Sequence, residues 1–180
     1  MNDFKMSFTS SSFDYVNFKP SASTGQSSRD DLKDEWKIEA EKNAKEIVRY
    51  AVSDEFIEGE VSKTQLFLEK LSLGNNLIFR ESFKRAWLRL FEMDNPRYLH
   101  VFASIASCLP YELLKEDGVT LILGCSAHKD ISVNEACIRM AEAWEQSNHI
   151  AYLEKMRSFE YPWLEKYKNQ TIEYLKGLEE

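Results

Sequence analysis

The sequence predicts an all-α protein of stacked antiparallel helical hairpins behind a non-helical N-terminal arm. Three observations carry that prediction. From residue 30 onward apolar side chains recur at the helical period, and no stretch alternates at period two for long enough to compel a strand; only Val119–Leu123 competes. One six-residue apolar pattern also occurs twice, offset by 35 residues, which is a spacing at which αα-hairpins stack.

Residues 1–29 are read as the arm. Eight serines with Pro20 and Gly25 favour turns over helix, and Phe4, Phe8, Phe13, Tyr15 and Phe18 make the segment unlike a solvated tail. The helical domain then spans 30–180. Trp36, Ala40, Ala44, Ile47, Val48 and Ala51 share a stripe, with Asp30 or Asp31 as N-cap. Ser62 caps a second helix carrying Thr64, Phe67, Leu68 and Leu71, and Gly74 is predicted as its left-handed stop. A third helix from about Leu77 places Phe79, Phe83, Ala86, Trp87, Leu90 and Phe91 in the core.

Asn95 and Pro96 form an N-cap and first-turn proline. The helix they open sets Tyr98, Val101, Phe102, Ile105, Ala106 and Leu109 on one face before Pro110 breaks it and starts a short turn through Leu114. Val119 to Ala127 is apolar on more than one side and is predicted to be a buried central helix. Asp130 or Ser132 then opens a helix in which Val133, Ala136, Cys137, Met140, Ala141 and Trp144 repeat the Tyr98–Leu109 spacing position for position. Two further helices follow, one capped by Ser147 and one from Pro162.

The run Asp130-Ile131-Ser132-Val133-Asn134-Glu135-Ala136 resembles the start of the second helix of a HEAT-like repeat, and the resemblance covers about residues 77–178. It implies that Asp130 caps, Val133 packs inward and Ala136 allows close helix approach. In that family an arginine commonly follows the valine, where Asn134 stands here, and the 35-residue spacing is shorter than the roughly 40–47 usual for the family. A generic helical bundle is the competing architecture.

Thirty acids against 23 bases give a net charge of −7, which disfavours general nucleic-acid binding. The charge is uneven: 31–60 carries −5, 61–129 carries +2 and 130–180 carries −4. Three cysteines, Cys108, Cys125 and Cys137, in a chain of 180 residues read as reduced thiols in the cytosol. No apolar run approaches the roughly 20 residues that span a bilayer, so no membrane partner is expected.

Reactive groupings are scarce. Cys125, His128 and Cys137 have the donor types of a zinc site but lack a second close pair, and core packing explains the same letters, so no metal is expected. Phosphate-binding glycine loops are absent and no cofactor is predicted. Glu145 and His149 read as a solvated pair. Arg80, Lys84, Arg85 and Arg89 form the one basic concentration; pairing with the protein's own carboxylates is the favoured reading, and nucleic-acid binding the disfavoured one.

In a HEAT-like array second helices commonly line the concave face. The resemblance therefore implies that Glu135, Glu142 and Glu145, with Arg139 between them, face a partner. The sequence predicts a non-catalytic interaction module with a basic protein partner, in its most concrete form an immunity or antitoxin protein that covers a basic toxin. The alternative is a small helical enzyme or ligand receptor whose site gathers His100, His128, Glu145 and Arg89 between helices.

Overall fold

The computed structural model describes residues 27–178, and their side chains from residue 35 onward. Every regular element among the described residues is helical: α1 (Ser27–Ser53), α2 (Lys63–Ser72), α3 (Asn76–Glu92), α4 (Pro96–Ala106), α5 (Tyr111–Leu114), α6 (Glu116–Ser126), α7 (Ile131–Trp144), α8 (Ile150–Glu154) and α9 (Pro162–Gly177). A 3-10 turn at Ser147–His149 joins α7 to α8, so Ser147 begins that turn and caps no α-helix. The fold is all-α, as the periodicity predicts. The arm lies outside the described residues except for its last three, which already belong to α1. The first helix therefore starts ahead of the N-cap expected at Asp30 or Asp31.

Local chemistry starts the later helices. Ser62 accepts the Gln65 N–H at 3.1 Å, Asn75 accepts those of Leu77 and Ile78, Asn95 accepts that of Arg97 ahead of Pro96, and Asp130 accepts that of Ser132 at 2.9 Å. The left-handed stop predicted at Gly74 is not used. α2 ends on right-handed Leu73, and the Gly74 N–H reaches the Leu71 carbonyl at 3.1 Å.

The helices pair into four hairpins, α1–α2, α3–α4, α6–α7 and α8–α9, and corresponding helices of successive hairpins lie side by side. In the middle of the stack these neighbours run in the same direction. Arg80 at the start of α3 binds Asp117 at the start of α6, whereas Trp87 near its end covers Gly124, where an added Cβ would meet the indole at 3.3 Å. In the other layer His100 Nδ1 lies 2.9 Å from the Ser132 carbonyl, and Trp144 Nε1–H donates to the Leu109 carbonyl at 3.0 Å. Within the α6–α7 hairpin the order reverses: the Asn134 amide donates to the Cys125 carbonyl, and the Cys137 thiol to that of Ile122. One apolar cluster runs through the stack from Ala44 to Leu175.

Two burial expectations need correction. Phe91 is 43% exposed, because it sits in the last turn of α3, where its ring meets those of Trp87 and His128 on one side and solvent on the other. α6 is not buried all round. Leu121, Ile122 and Cys125 face its neighbours, but Leu123 is 44% exposed on the opposite side.

Candidate functional site

The segment between α1 and α2 is built to hold a fixed shape. Buried Asp54 accepts both the Thr64 N–H and the Thr64 hydroxyl at 2.7 Å, clamping the segment's two ends together. Between them the Glu60 N–H closes a turn on the Ile57 carbonyl at 3.0 Å, and Gly59 occupies a left-handed position at φ 83°. Glu58 and Glu60 project from that turn, both exposed.

This loop faces α7 across a groove of about 440 Å³ lined by Phe56, Glu58, Glu60, Cys108, Arg139 and Glu142. Arg139 is its central cation. It bonds Glu135 one helical turn back at 3.2 Å, approaches Glu58 across the groove at 3.8 Å, and lies 5.6 Å above the Phe56 ring. Glu142 accepts the Tyr167 hydroxyl of α9 at 2.5 Å. Burial and the neighbouring Glu142 carboxylate push the Tyr167 phenol well up, so it stays a proton donor. Glu58 and Glu135 thus pair with the Arg139 guanidinium, while Glu60 and Glu142 line the same groove, and among the described lining residues carboxylates outnumber cations.

The structure brings Arg139, Glu135 and Glu142 together and leaves Glu145 apart. Glu145 ends α7 in the left-handed conformation, at φ 52°, and accepts the Tyr174 hydroxyl, whose ionisation it holds back. Sequence spacing does not single out Phe56, Glu58 and Glu60. The signal that marks them is the acidic run from Asp54 to Glu60, with one glycine and two large apolar residues inside it.

The basic concentration on α3 is spent internally. Arg80 binds Glu116 and Asp117, Lys84 binds Glu81, Arg85 binds Glu81 and Glu41, and Arg89 binds Glu41 at 2.6 Å. The two arginine hydrogen bonds hold the Glu41 carboxyl below its usual range, Arg89 contributing most.

Of the soft-donor trio the two cysteines are core and His128 is half-buried. Cys125 and Cys137 are fully buried, burial pushes the Cys125 thiol up to about 12 and the Cys137 thiol well up, and His128 Nδ1 accepts the Asp130 N–H at 3.0 Å. No group of three metal-ligating side chains forms among the described residues. The residues of the alternative site have separate partners: His100 the Ser132 carbonyl, His128 the Asp130 backbone, Arg89 Glu41 and Glu145 Tyr174.

His149 is also not the solvated partner of Glu145. It is fully buried between the rings of Tyr111, Trp144 and Tyr152, and neither ring nitrogen makes a hydrogen bond of normal geometry. Burial lowers its pKa to about 4 against a weaker opposing pull from the Ala141 carbonyl.

The fold and the groove define a class, an all-α hairpin stack with an acidic recess between its first and third hairpins. No protein-family model, curated protein or solved structure matches the chain. No helix among the described residues is long and apolar enough to cross a membrane.

Proposed function

We propose that the chain is a non-catalytic interaction module whose acidic groove receives a basic protein surface, in its most concrete form an immunity or antitoxin protein that occludes a basic partner. The observation that supports it is the excess of carboxylates at the groove: Glu58, Glu60 and Glu142 line it, Glu135 flanks it, and among the described residues Arg139 is the one lining cation, paired with Glu58 and Glu135. Such an excess accelerates encounter with a positive surface and favours it over neutral or acidic ones. Phe56 adds an aromatic face of the kind on which guanidinium groups stack. The HEAT-like reading of the stack belongs to the same proposal, since it makes α7 a helix that lines a binding face.

The test is titration of the isotope-labelled chain with a short arginine-rich peptide at low salt. Shifts concentrated at Phe56–Val61, Cys108 and Arg139–Ala143 support the reading. A variant with Glu58, Glu60 and Glu142 all changed to Gln should bind about tenfold more weakly, with a flatter salt dependence. No binding, or shifts scattered evenly over the surface, would remove the groove from the proposal. Recovery of a stoichiometric basic protein with the wild-type chain, lost with the triple variant, would identify the partner.

A further inference from the structure

The two ends of the hairpin stack carry complementary surfaces. On α2, at the first end, Lys63, Leu66, Lys70 and Leu73 form one outward stripe at spacings of three, four and three. Leu66 is 57% and Leu73 88% exposed, and between the two lysines Tyr50, Leu66 and Phe67 line a shallow recess of about 280 Å³. Neither lysine has a carboxylate partner among the described residues, although the protein is acidic.

On α9, at the other end, the face turned away from the core carries a recess of about 690 Å³ lined by Phe159, Pro162, Asn169 and Gln170, with Glu165, Lys166 and Glu173 along it. Its two glutamates stand eight residues apart and the α2 lysines seven, about 12 Å and 10.5 Å along a helix. Glu165 already holds Lys168 at 2.8 Å and the Phe159 N–H, whereas among the described residues Glu173 meets only Lys176, at 3.5 Å.

We propose that a second copy of the chain docks head to tail, with α2 of one copy laid antiparallel on α9 of the other. α2, α4, α7 and α9 follow one another through one layer, so a copy's α2 placed beyond α9 adds one helix to that layer, its direction reversed relative to the parallel α4, α7 and α9. In the antiparallel register Lys63 meets Glu173 and Lys70 meets Glu165, and Glu69 of α2 comes opposite Lys166. Leu66 and Phe67 then cover the recess on α9. Stacked hairpins bury a continuous core only against a neighbour, and exposed Leu66 and Leu73 leave the α2 end without a polar cap. The contact is heterologous, so it leaves one free head and one free tail and can extend. It uses side chains other than those of the groove, so it stands apart from the function proposed above.

The test is the mass of the full chain in solution, by sedimentation and light scattering, from micromolar to near-millimolar concentration at low and high salt. The mass should rise with concentration at low salt and fall back when salt is added. Lys63→Glu and Glu173→Lys, made separately, should each associate about tenfold more weakly than wild type. Mixed in equal amounts they should regain the wild-type association, because each variant's head then meets an opposite charge on the other's tail. Leu66→Ser, which leaves the charge unchanged, should weaken association as well. A wild-type chain that keeps the monomer mass throughout, or a mixture that associates no better than its components, would overturn the proposal.

Discussion

Trp144 donates its indole N–H to the carbonyl of Leu109, the residue that occupies the equivalent place in the sequence pattern 35 positions earlier. The two ends of the repeated stripe are therefore in physical contact. The bond is buried, and it ties the end of α7 to the chain leaving α4. Replacing Trp144 with Phe keeps an aromatic ring and strands the Leu109 carbonyl without its donor. Stability should fall by about 1–3 kcal/mol in urea titration. Trp144→Ala, which also empties the space, should cost about 3–5 kcal/mol.

Asn134 closes the α6–α7 connection from inside. Its amide donates to the carbonyls of Cys125 at 2.9 Å and His128 at 3.0 Å, and its Oδ1 accepts from Arg157 at 3.3 Å. Asn134→Ala leaves those carbonyls without that donor, and a loss of about 2–3 kcal/mol is expected on urea unfolding. Asn134→Leu should do no better, since the loss is of hydrogen bonds and not of volume.

His149 makes the fold sensitive to acid. Its folded value of about 4 lies below the ordinary 6.5, so between those values the unfolded chain binds more protons and stability rises with pH. The contribution is complete above about 6.5 and is lost as pH falls toward 4. From about pH 7.5 to pH 5 the cost is about 2 kcal/mol from this one ring. Thermal melts of wild type and His149→Leu across that range check it: the variant should show the shallower slope, and parallel slopes would refute the assignment.

Asp54 links stability to the groove. Asp54→Ala removes both bonds to Thr64 and frees the segment carrying Phe56, Glu58 and Glu60 from its anchor. A stability loss of about 1–3 kcal/mol is expected. Amide exchange should quicken most at Ile57–Val61, and binding of a basic peptide should weaken although every groove carboxylate is retained.

Three of the later helix starts were legible because their causes are local. Ser62, the Asn95-Pro96 pair and Asp130 act on N–H groups two or three residues away, and the apolar stripes of α3, α4 and α7 record which face is withdrawn from water. The internal use of Arg80, Lys84, Arg85 and Arg89 could also be anticipated, since Glu81 lies one turn from Lys84 and Arg85. Glu41 as the shared counter-ion could not, because it belongs to a helix more than forty residues earlier.

The groove belongs to that second kind of fact. Phe56 and Glu58 meet Arg139 across some eighty residues of sequence, and no spacing rule relates them. Glu145 stands one turn beyond Ala141 and by periodicity would continue the helix, yet it leaves that path because the chain becomes left-handed there.

Helical periodicity is a short-range property, carried by each segment's own balance of oily and polar side chains, so the letters alone settle which segments coil and which face turns inward. How the coiled segments sit against one another depends on packing summed over the whole core. For that reason the carboxylates around Arg139, and the complementary ends of the stack, come into view only when the hairpins are assembled.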